Sequence, residues 1–184
     1  MLKKLVGPAV SLAPETVEHA ETMAEWLNDL EVAVPLGDEA WRLVTPEGIR
    51  RSAAGSEHAF MIVANDGDVP IGRCQLFNVN LVDRNAMLGI VIGDRRYWNR
   101  GLGGEAVTLL LEYAFNLINL ESVMLGAFAF NPRALACYRR IGFREIGRRR
   151  HARRIAGQYH DAILMDLLAE EFHGTLISDI VAAT

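Results

Sequence analysis

Residues 98–106 read Trp98-Asn99-Arg100-Gly101-Leu102-Gly103-Gly104-Glu105-Ala106. Glycines between a strand and a helix let the backbone turn tightly, expose N–H groups and place an anion at the positive end of the helix dipole. Arg95, Arg96 and Arg100 add positive charge to the same loop. We therefore expect this segment to bind a pyrophosphate, with a tight helix-capping turn as the alternative explanation.

The segments around this loop show a regular change of hydrophobic period. An apolar run at 87–92 predicts a strand before the loop, and apolar residues at helical spacing over 107–118 predict a helix after it. Further strands are predicted at 5–10, 58–64, 69–77, 122–130, 144–154 and 159–167. Further helices are predicted at 17–27, in part of 37–54 with a start at Thr45-Pro46-Glu47, and at 134–141.

This order of elements, βααβββαβαββ, indicates an α/β (α+β) domain. Its sheet should be mixed and mostly antiparallel, with about 6–7 strands flanked by helices, because a strand-helix-strand unit requires parallel pairing. A length of 184 residues fits one domain over 1–184. Residues 174–184 are expected to form a C-terminal tail that packs on the domain or on a second subunit, which leaves a homodimer open.

The composition limits the classes of protein to consider. With 51% hydrophobic and 23% charged residues, the chain has the composition of a folded globular protein rather than a disordered one. A net charge of -4 and a pI near 5.7 argue against nucleic acid as the partner. Residues 1–92 carry a net charge of -6 and residues 93–184 one of +2, and 17 of the 19 basic residues are Arg. The second half can therefore hold an anionic ligand.

Other sequence features concern the location of the protein and its cofactors. Cys74 and Cys137 form no C-x-x-C pair, and no apolar run reaches the length of a membrane span, so we expect a cytoplasmic protein without membrane contact. The five histidines show no metal-ligand spacing, and no metal is expected.

The loop also matches the loose dinucleotide pattern G-x-G-x-x-A at Gly101, Gly103 and Ala106. That fingerprint requires an acidic residue at the end of the next strand, whereas Glu121 stands at the beginning of that strand. A dinucleotide-binding oxidoreductase is therefore the least favoured hypothesis.

Two motifs together carry a resemblance to a known family. The loop R-G-x-G-G-E-A at 100–106 is followed by N-P-x-A-x-x-x-Y-x-x-x-G-F at 131–143. This combination resembles the GNAT superfamily of acetyl-CoA-dependent N-acetyltransferases over residues 5–172. Tyr97-Trp98 and the stretch Tyr159-His160-Asp161-Ala162-Ile163-Leu164-Met165 are similar to its RimJ/RimL branch, which acetylates ribosomal-protein N-termini.

The resemblance implies a role for each matching position. Backbone amides of Asn99, Arg100, Gly101, Leu102, Gly103 and Gly104 would hold the pyrophosphate of acetyl-CoA. The strand through Ile90, Val91 and Ile92 would pair with the pantetheine arm, and one of its N–H groups would polarise the thioester carbonyl. Asn131 would touch the pantetheine, and Tyr138 would place its hydroxyl at the departing sulfur.

Acid-base chemistry supports a role for Tyr138 independently. A phenol with an ordinary pKa of roughly 10 can hydrogen-bond or protonate a thiolate whose thiol has a pKa of roughly 8.5. Packing on the apolar face of its helix is the alternative explanation for Tyr138. The neighbouring Cys137 is expected to be a small core residue and not a nucleophile.

The chain departs from the family pattern at Trp98, where many relatives have Gln or Arg, and at Met87, where relatives often have a Glu that deprotonates the amine. Met cannot accept a proton, so another group or a water chain must do so. The sequence does not choose among five candidate bases, each of which also has a structural explanation: His58, Asp94, Glu105, His160 and Asp161.

Two questions stay open at this point. The arginines of 148–154 either meet RNA, an acidic substrate or the coenzyme 3′-phosphate, or form a solvated hairpin edge. The acceptor amine, which we expect residues 28–56 to face, belongs to a protein N-terminus, a polyamine, an aminoglycoside or an amino acid. An acetyl-CoA-binding module without turnover is the alternative to an enzyme.

Overall fold

The computed structural model of the chain describes residues 2–36, 40–53 and 57–184. Part of the expected acceptor-facing segment, 37–39 and 54–56, therefore lies outside the described residues. The described strands are Leu5–Val6 (β1), Val10–Pro14 (β2), Ala59–Ala64 (β3), Val69–Asn80 (β4), Asn85–Ile92 (β5), Ser122–Phe128 (β6), Arg144–Ile155 (β7) and Gln158–Leu168 (β8). The helices are Ala20–Asn28 (α1), Leu30–Leu36 (α2), Pro46–Ala53 (α3), Leu102–Asn116 (α4), Pro132–Ile141 (α5) and Leu176–Ala182 (α6).

The strands form a mixed sheet in the order β1-β2-β3-β4-β5-β6-β8-β7. The α/β class and the mostly antiparallel pairing are confirmed. The expected number of about 6–7 strands is wrong for the described chain, which has eight. The predicted first strand is two short ones, because Gly7 and Pro8 make a turn in which the Gly7 N–H donates to the Val10 carbonyl at 2.9 Å.

The chain divides into two compact units, and the single-domain assignment stays a prediction. Unit one comprises Met1–Gln75 and Ile90–Leu109, and unit two comprises Leu76–Gly89 and Leu110–Thr184.

In unit one, β2, β3 and β4 pair antiparallel, with Ala13 opposite Met61 and Met61 opposite Arg73. One face of these strands packs against α1 and α3 through an apolar cluster: Ala13, Ala20, Met23, Ile49, Met61 and Val63. The side chain of Glu105, in the first turn of α4, accepts the N–H groups of Ala9 and Val10 at 2.8 and 2.9 Å. This carboxylate therefore ties the start of β2 to α4.

In unit two, β5 and β6 pair in parallel through three residue pairs, from Asn85 opposite Ser122 to Met87 opposite Met124. The parallel pairing expected from the strand-helix-strand unit is thus confirmed. β8 pairs antiparallel with β6 on one side and with β7 on the other.

The C-terminal segment of unit two contains a helix, α6, that the sequence analysis expected only as a tail. Glu112 of α4 is buried and accepts the N–H groups of Leu176 and Ile177 at 2.8 and 3.4 Å. Its carboxylate also accepts the Asn116 amide at 2.7 Å. A buried carboxylate at the first turn of a helix satisfies N–H groups that have no partner within the helix.

The arginines of 148–154 lie on β7, the last strand in the sheet order. Arg148 pairs with Asp161 at 3.3 Å, and the guanidinium of Arg154 lies over the Tyr159 ring at 5.7 Å. These contacts are those of a solvated edge strand, which agrees with the hairpin-edge explanation.

Within the described ranges, none of the helices combines the length and the hydrophobicity that crossing a lipid bilayer requires.

Candidate active site

The glycine loop of unit one begins where β5 ends. The N–H groups of Gly93 and Asp94 donate to the carbonyl of Ile71 at 2.9 and 3.1 Å. Asp94 then caps a 3-10 turn at Arg95–Tyr97 by accepting the Arg96 N–H at 3.0 Å. The turn redirects the chain from the strand into the loop.

Trp98 fixes the loop against the strand. Its indole N–H donates to the Ile92 carbonyl at 2.8 Å. Trp98 therefore has a structural role in the loop. Arg100 lies beside it, exposed, with its guanidinium over the Tyr97 ring at 5.3 Å.

Gly101 and Gly103 leave the backbone at the start of α4 uncovered. Gly101 has a φ of +78°, which strongly favours glycine, and its carbonyl accepts the N–H of Gly104 at 3.0 Å. A Cβ at Gly101 would meet no atom within 4 Å, and one at Gly103 would meet only Ile92, with 3.5 Å as its shortest contact. Because the first N–H groups of a helix lack partners within it, this arrangement is suited to an anion such as a pyrophosphate.

The predicted pantetheine strand lies in the same unit. Ile90, Val91 and Ile92 are all half-buried, although each is apolar. Gly93, which follows them, lies against Trp26 of α1, since a Cβ at Gly93 would collide with the indole ring. Helix α1 therefore borders the end of β5.

Asn131 and Tyr138 belong to unit two. Asn131 is the N-cap of α5: its side-chain oxygen accepts the Ala134 N–H at 3.2 Å, and its own N–H donates to Phe128 at 2.8 Å. The helix ends at Gly142, whose φ is +120°. The N-P motif thus has a structural role in starting this helix, whatever it binds.

Tyr138 packs its ring edge-on against Phe143, with 5.9 Å between the ring centroids. Burial raises the pKa of Tyr138 to about 12. The phenol therefore stays protonated at neutral pH and can donate a hydrogen bond. Burial also raises the pKa of the Cys137 thiol, which agrees with the expectation that Cys137 is not a nucleophile.

Three of the candidate bases are carboxylates with protein partners. Glu105 holds the two N–H groups at the start of β2. A hydrogen bond from the Arg96 side chain holds the pKa of Asp94 below its usual value. The pKa of Asp161 is also lowered, first by the backbone N–H of His151 and then, after a small opposing effect of burial, by Arg148. None of these contacts indicates a proton acceptor.

Four further positions considered in the sequence are Met87, His160, His58 and Glu121. Met87 accepts a weak hydrogen bond from Asn78 at 3.7 Å. His160 lies edge-on to Phe130 at 4.8 Å, and His58 lies in the turn before β3. Glu121 immediately precedes β6 and pairs with Arg84 at 2.6 Å, so the dinucleotide hypothesis gains no ribose-binding acid from it.

Glu15 and Arg73 in unit one form a charged pair that no sequence motif indicated. Arg73 Nε donates to Glu15 Oε2 at 2.7 Å, and the Glu15 side chain is only 2% exposed. Glu15 Oε1 is buried and has no hydrogen-bond partner among the residues that the structure describes. No local pattern could have shown this, because the two residues are 58 positions apart.

No group of three or more His, Cys, Asp or Glu side chains arranged to hold a metal ion occurs in the described part of the chain.

Comparison with known proteins gives a family. The model of the acetyltransferase (GNAT) domain matches residues 10–144. The chain is 33% identical over 155 residues to the spermidine N(1)-acetyltransferase of Escherichia coli (strain K12), covering 84% of this chain and 77% of that protein. It is 28% identical over 166 residues to the putative ribosomal N-acetyltransferase YdaF of Bacillus subtilis (strain 168), covering 90% and 88%.

A solved structure shows the same fold. The spermidine N-acetyltransferase from Vibrio cholerae, in complex with CoA and spermine, superimposes with a TM-score of 0.79 at 20% identity, covering 89% of this chain and 97% of that one. The family match over residues 10–144 includes the glycine loop between β5 and α4 and the N-P start of α5. The chain belongs to the GNAT family and is an N-acetyltransferase that uses acetyl-CoA as its acetyl donor.

Proposed function

We propose that this enzyme acetylates a primary amine of a small polycation, a polyamine of the spermidine class. The observation that carries the proposal is a run of negative charge: residues 15–31 contain six carboxylates and no Lys or Arg. This run includes α1, whose Trp26 lies against Gly93 at the end of β5. Arg50, Arg73 and Arg95 pair with four of these carboxylates, so the six carboxylates keep an excess of about three negative charges, which attracts a polycation and raises its local concentration.

The relatives support two acceptor classes. The similarity to the spermidine N(1)-acetyltransferase of Escherichia coli favours a polyamine. The similarity to the putative ribosomal N-acetyltransferase of Bacillus subtilis makes a protein N-terminus the second candidate. Aminoglycosides and amino acids stay on the acceptor panel because the sequence does not exclude them.

We assign the coenzyme-binding roles in unit one as follows. The backbone from Asn99 to Gly104 binds the pyrophosphate, which the positive φ of Gly101 and the open side of Gly103 support. The half-buried segment Ile90, Val91 and Ile92 offers its backbone to the pantetheine arm and an N–H to the thioester oxygen.

In unit two, we assign Asn131 to the pantetheine and Tyr138 to the departing sulfur. The N-cap contact of Asn131 uses its side-chain oxygen and leaves the amide N–H₂ group of the same side chain for a ligand. The raised pKa of Tyr138 supports a neutral phenol that donates a hydrogen bond to the CoA sulfur as it leaves.

Release of the CoA thiol tests this function. Spermidine, an N-terminal peptide, an aminoglycoside and a free amino acid are each incubated with acetyl-CoA and the enzyme. We expect the largest kcat/KM for spermidine. A largest value for the peptide would assign the enzyme to the second acceptor class. Binding of acetyl-CoA without thiol release from any amine would favour the binding module.

The compartment and the assembly stay predictions. The two cysteines are free thiols in the structure, which suits the reducing cytoplasm. Ile180 and Val181 of α6 are 57% and 71% exposed, which suits a homodimer contact. Light scattering on the protein as it elutes from a size-exclusion column would show a mass near 40.8 kDa for a dimer, twice the 20.4 kDa of the chain.

A further inference from the structure

The pair formed by Glu15 and Arg73 is a buried charge pair with one carboxylate oxygen unbound. Arg73 binds Oε2, whereas Oε1 is buried without a partner among the described residues. Buried polar atoms without hydrogen bonds are rare in native proteins, and each one calls for an explanation such as a ligand or a catalytic role. Glu15 is also the buried member of the acidic run over 15–31.

Strand register places this pair beside the proposed thioester strand. Gly72 lies against the backbone of Val91 and Ile92, and the Ile71 carbonyl accepts the N–H of Gly93. On antiparallel strands, one residue forward on the first strand corresponds to one residue back on the second. Arg73, which follows Gly72, therefore lies opposite Val91, which precedes Ile92. Opposite residues of adjacent antiparallel strands share one face of the sheet and are roughly 5 Å apart.

The same register defines the face on which the pair lies. Arg73 is opposite Met61, and Met61 is opposite Ala13, two residues before Glu15. Ala13 and Met61 pack in the apolar cluster with α1 and α3. The pair therefore lies on the face of the strands that carries the acidic helix α1, next to the segment that we assign to the thioester.

We propose that Glu15 is the proton acceptor for the attacking amine and that Arg73 positions its carboxylate. The inference rests on the proposed function and supplies the base that Met87 cannot be. A polyamine nitrogen resembles the Lys side chain, whose pKa is roughly 10.4, so it arrives as an ammonium. Glu15 Oε1 takes one proton from the ammonium, directly or through one water.

The reaction then balances in atoms and charge. The neutral amine attacks the thioester carbonyl, a C–N bond forms, and the C–S bond breaks with its electron pair on sulfur. The attacking nitrogen loses its second proton, which reaches the thiolate through solvent. Glu15 later releases its proton to solvent, so the net products are the acetylated amine, CoA thiol and one proton.

The test compares Glu15→Gln with the wild type. Gln keeps an oxygen for Arg73 but cannot accept the proton. With spermidine at pH 7 we expect kcat to fall about 100-fold, while the Kd for acetyl-CoA from calorimetry stays unchanged. The ratio of wild-type kcat to variant kcat, which we call the deficit, should shrink about tenfold for each pH unit from 7 to 9, because solvent then supplies the neutral amine. It should nearly vanish at pH 7 with an arylamine, which is already neutral.

Glu121→Gln is the matched control. It removes a carboxylate from an exposed ion pair with Arg84 at 2.6 Å, and we expect wild-type rates from it at every pH. Should Glu15→Gln fold poorly, the double variant Glu15→Leu with Arg73→Met removes both buried charges together, a change that proteins often tolerate. It should show the same preference for the arylamine.

Two results would overturn the inference. One is a wild-type rate for Glu15→Gln at pH 7, and the other is a deficit that is the same at every pH and for every acceptor, which would indicate a structural role. Either leaves the proposed function intact as long as the wild type acetylates spermidine. Failure of the wild type with every amine would instead remove the proposed function and this inference with it.

Discussion

Several residues that the motifs select have structural roles in addition to their proposed chemical ones. Asn131 caps α5, Trp98 fixes the loop to Ile92, and Glu105 holds the start of β2. A single sequence does not separate these roles, because the same polar atom serves a backbone N–H or a ligand equally well. For Tyr138, by contrast, a substitution that removes one oxygen distinguishes packing from chemistry.

We expect Tyr138→Phe to lower kcat by about 10- to 100-fold and to leave the Kd for acetyl-CoA within about twofold, because the ring still packs on Phe143. Since the pKa of Tyr138 is about 12, its neutral form persists from pH 6 to 9. The ratio of wild-type to variant kcat should therefore be constant over that range and fall only as the pH approaches 12. Steady-state kinetics and calorimetry measure both quantities.

Tyr159→Phe provides the control, because Tyr159 is 59% exposed on β8 and has no proposed role. Weaker acetyl-CoA binding at an unchanged kcat in Tyr138→Phe would reduce Tyr138 to a packing residue.

Among the elements, those with a long apolar period or a strong turn were predicted closely. Helix α4 and the strands β3, β4 and β5 lie within a few residues of their predicted ranges. Helices α2 and α6, each of 7 residues, were missed. They are too short to be stable alone, so their helical state depends on tertiary contacts such as those that Glu112 makes to α6.

Gly103→Ala tests whether the start of α4 holds a ligand or only turns the chain. Ala has the higher helix propensity, and its Cβ would meet only Ile92, at ordinary contact distance. We expect the free protein to gain up to about 1 kcal/mol in its free energy of unfolding. Acetyl-CoA affinity should nevertheless fall at least about tenfold, because the added methyl lies where we propose that the backbone faces the pyrophosphate.

Urea unfolding measures the free energy of unfolding, and calorimetry measures the Kd for acetyl-CoA. Gly147→Ala, at a β7 position with open space around the Cβ, controls for the loss of a glycine elsewhere. Unchanged acetyl-CoA affinity in Gly103→Ala would mean that the loop is a helix-capping turn.

At the scale of the whole molecule, the charge asymmetry between the two halves of the sequence fits two ligands of opposite charge. The glycine loop and its arginines lie in the half with a net charge of +2, and the acidic run lies in the half with -6. One ligand of each sign can therefore be attracted without any nucleic acid.

Electrostatic attraction of the acceptor predicts a dependence on salt. We expect kcat/KM for spermidine to fall ~5-fold between 0.05 and 0.5 M NaCl, because the Debye length shortens to less than half over that range. A neutral arylamine, measured in the same assay, should change by less than about twofold. Equal salt dependence for both acceptors would mean that the acidic run does not attract the substrate.

The sequence by itself determined the family, the glycine loop before α4 and the order of the main elements, because motif spacing and hydrophobic period are local properties of the chain. Only the tertiary structure decided the anchoring of α6 by Glu112 and the burial of Glu15 against Arg73. These features depend on residues 58 to 65 positions apart, brought together by strand register and packing, and no local pattern encodes such a contact.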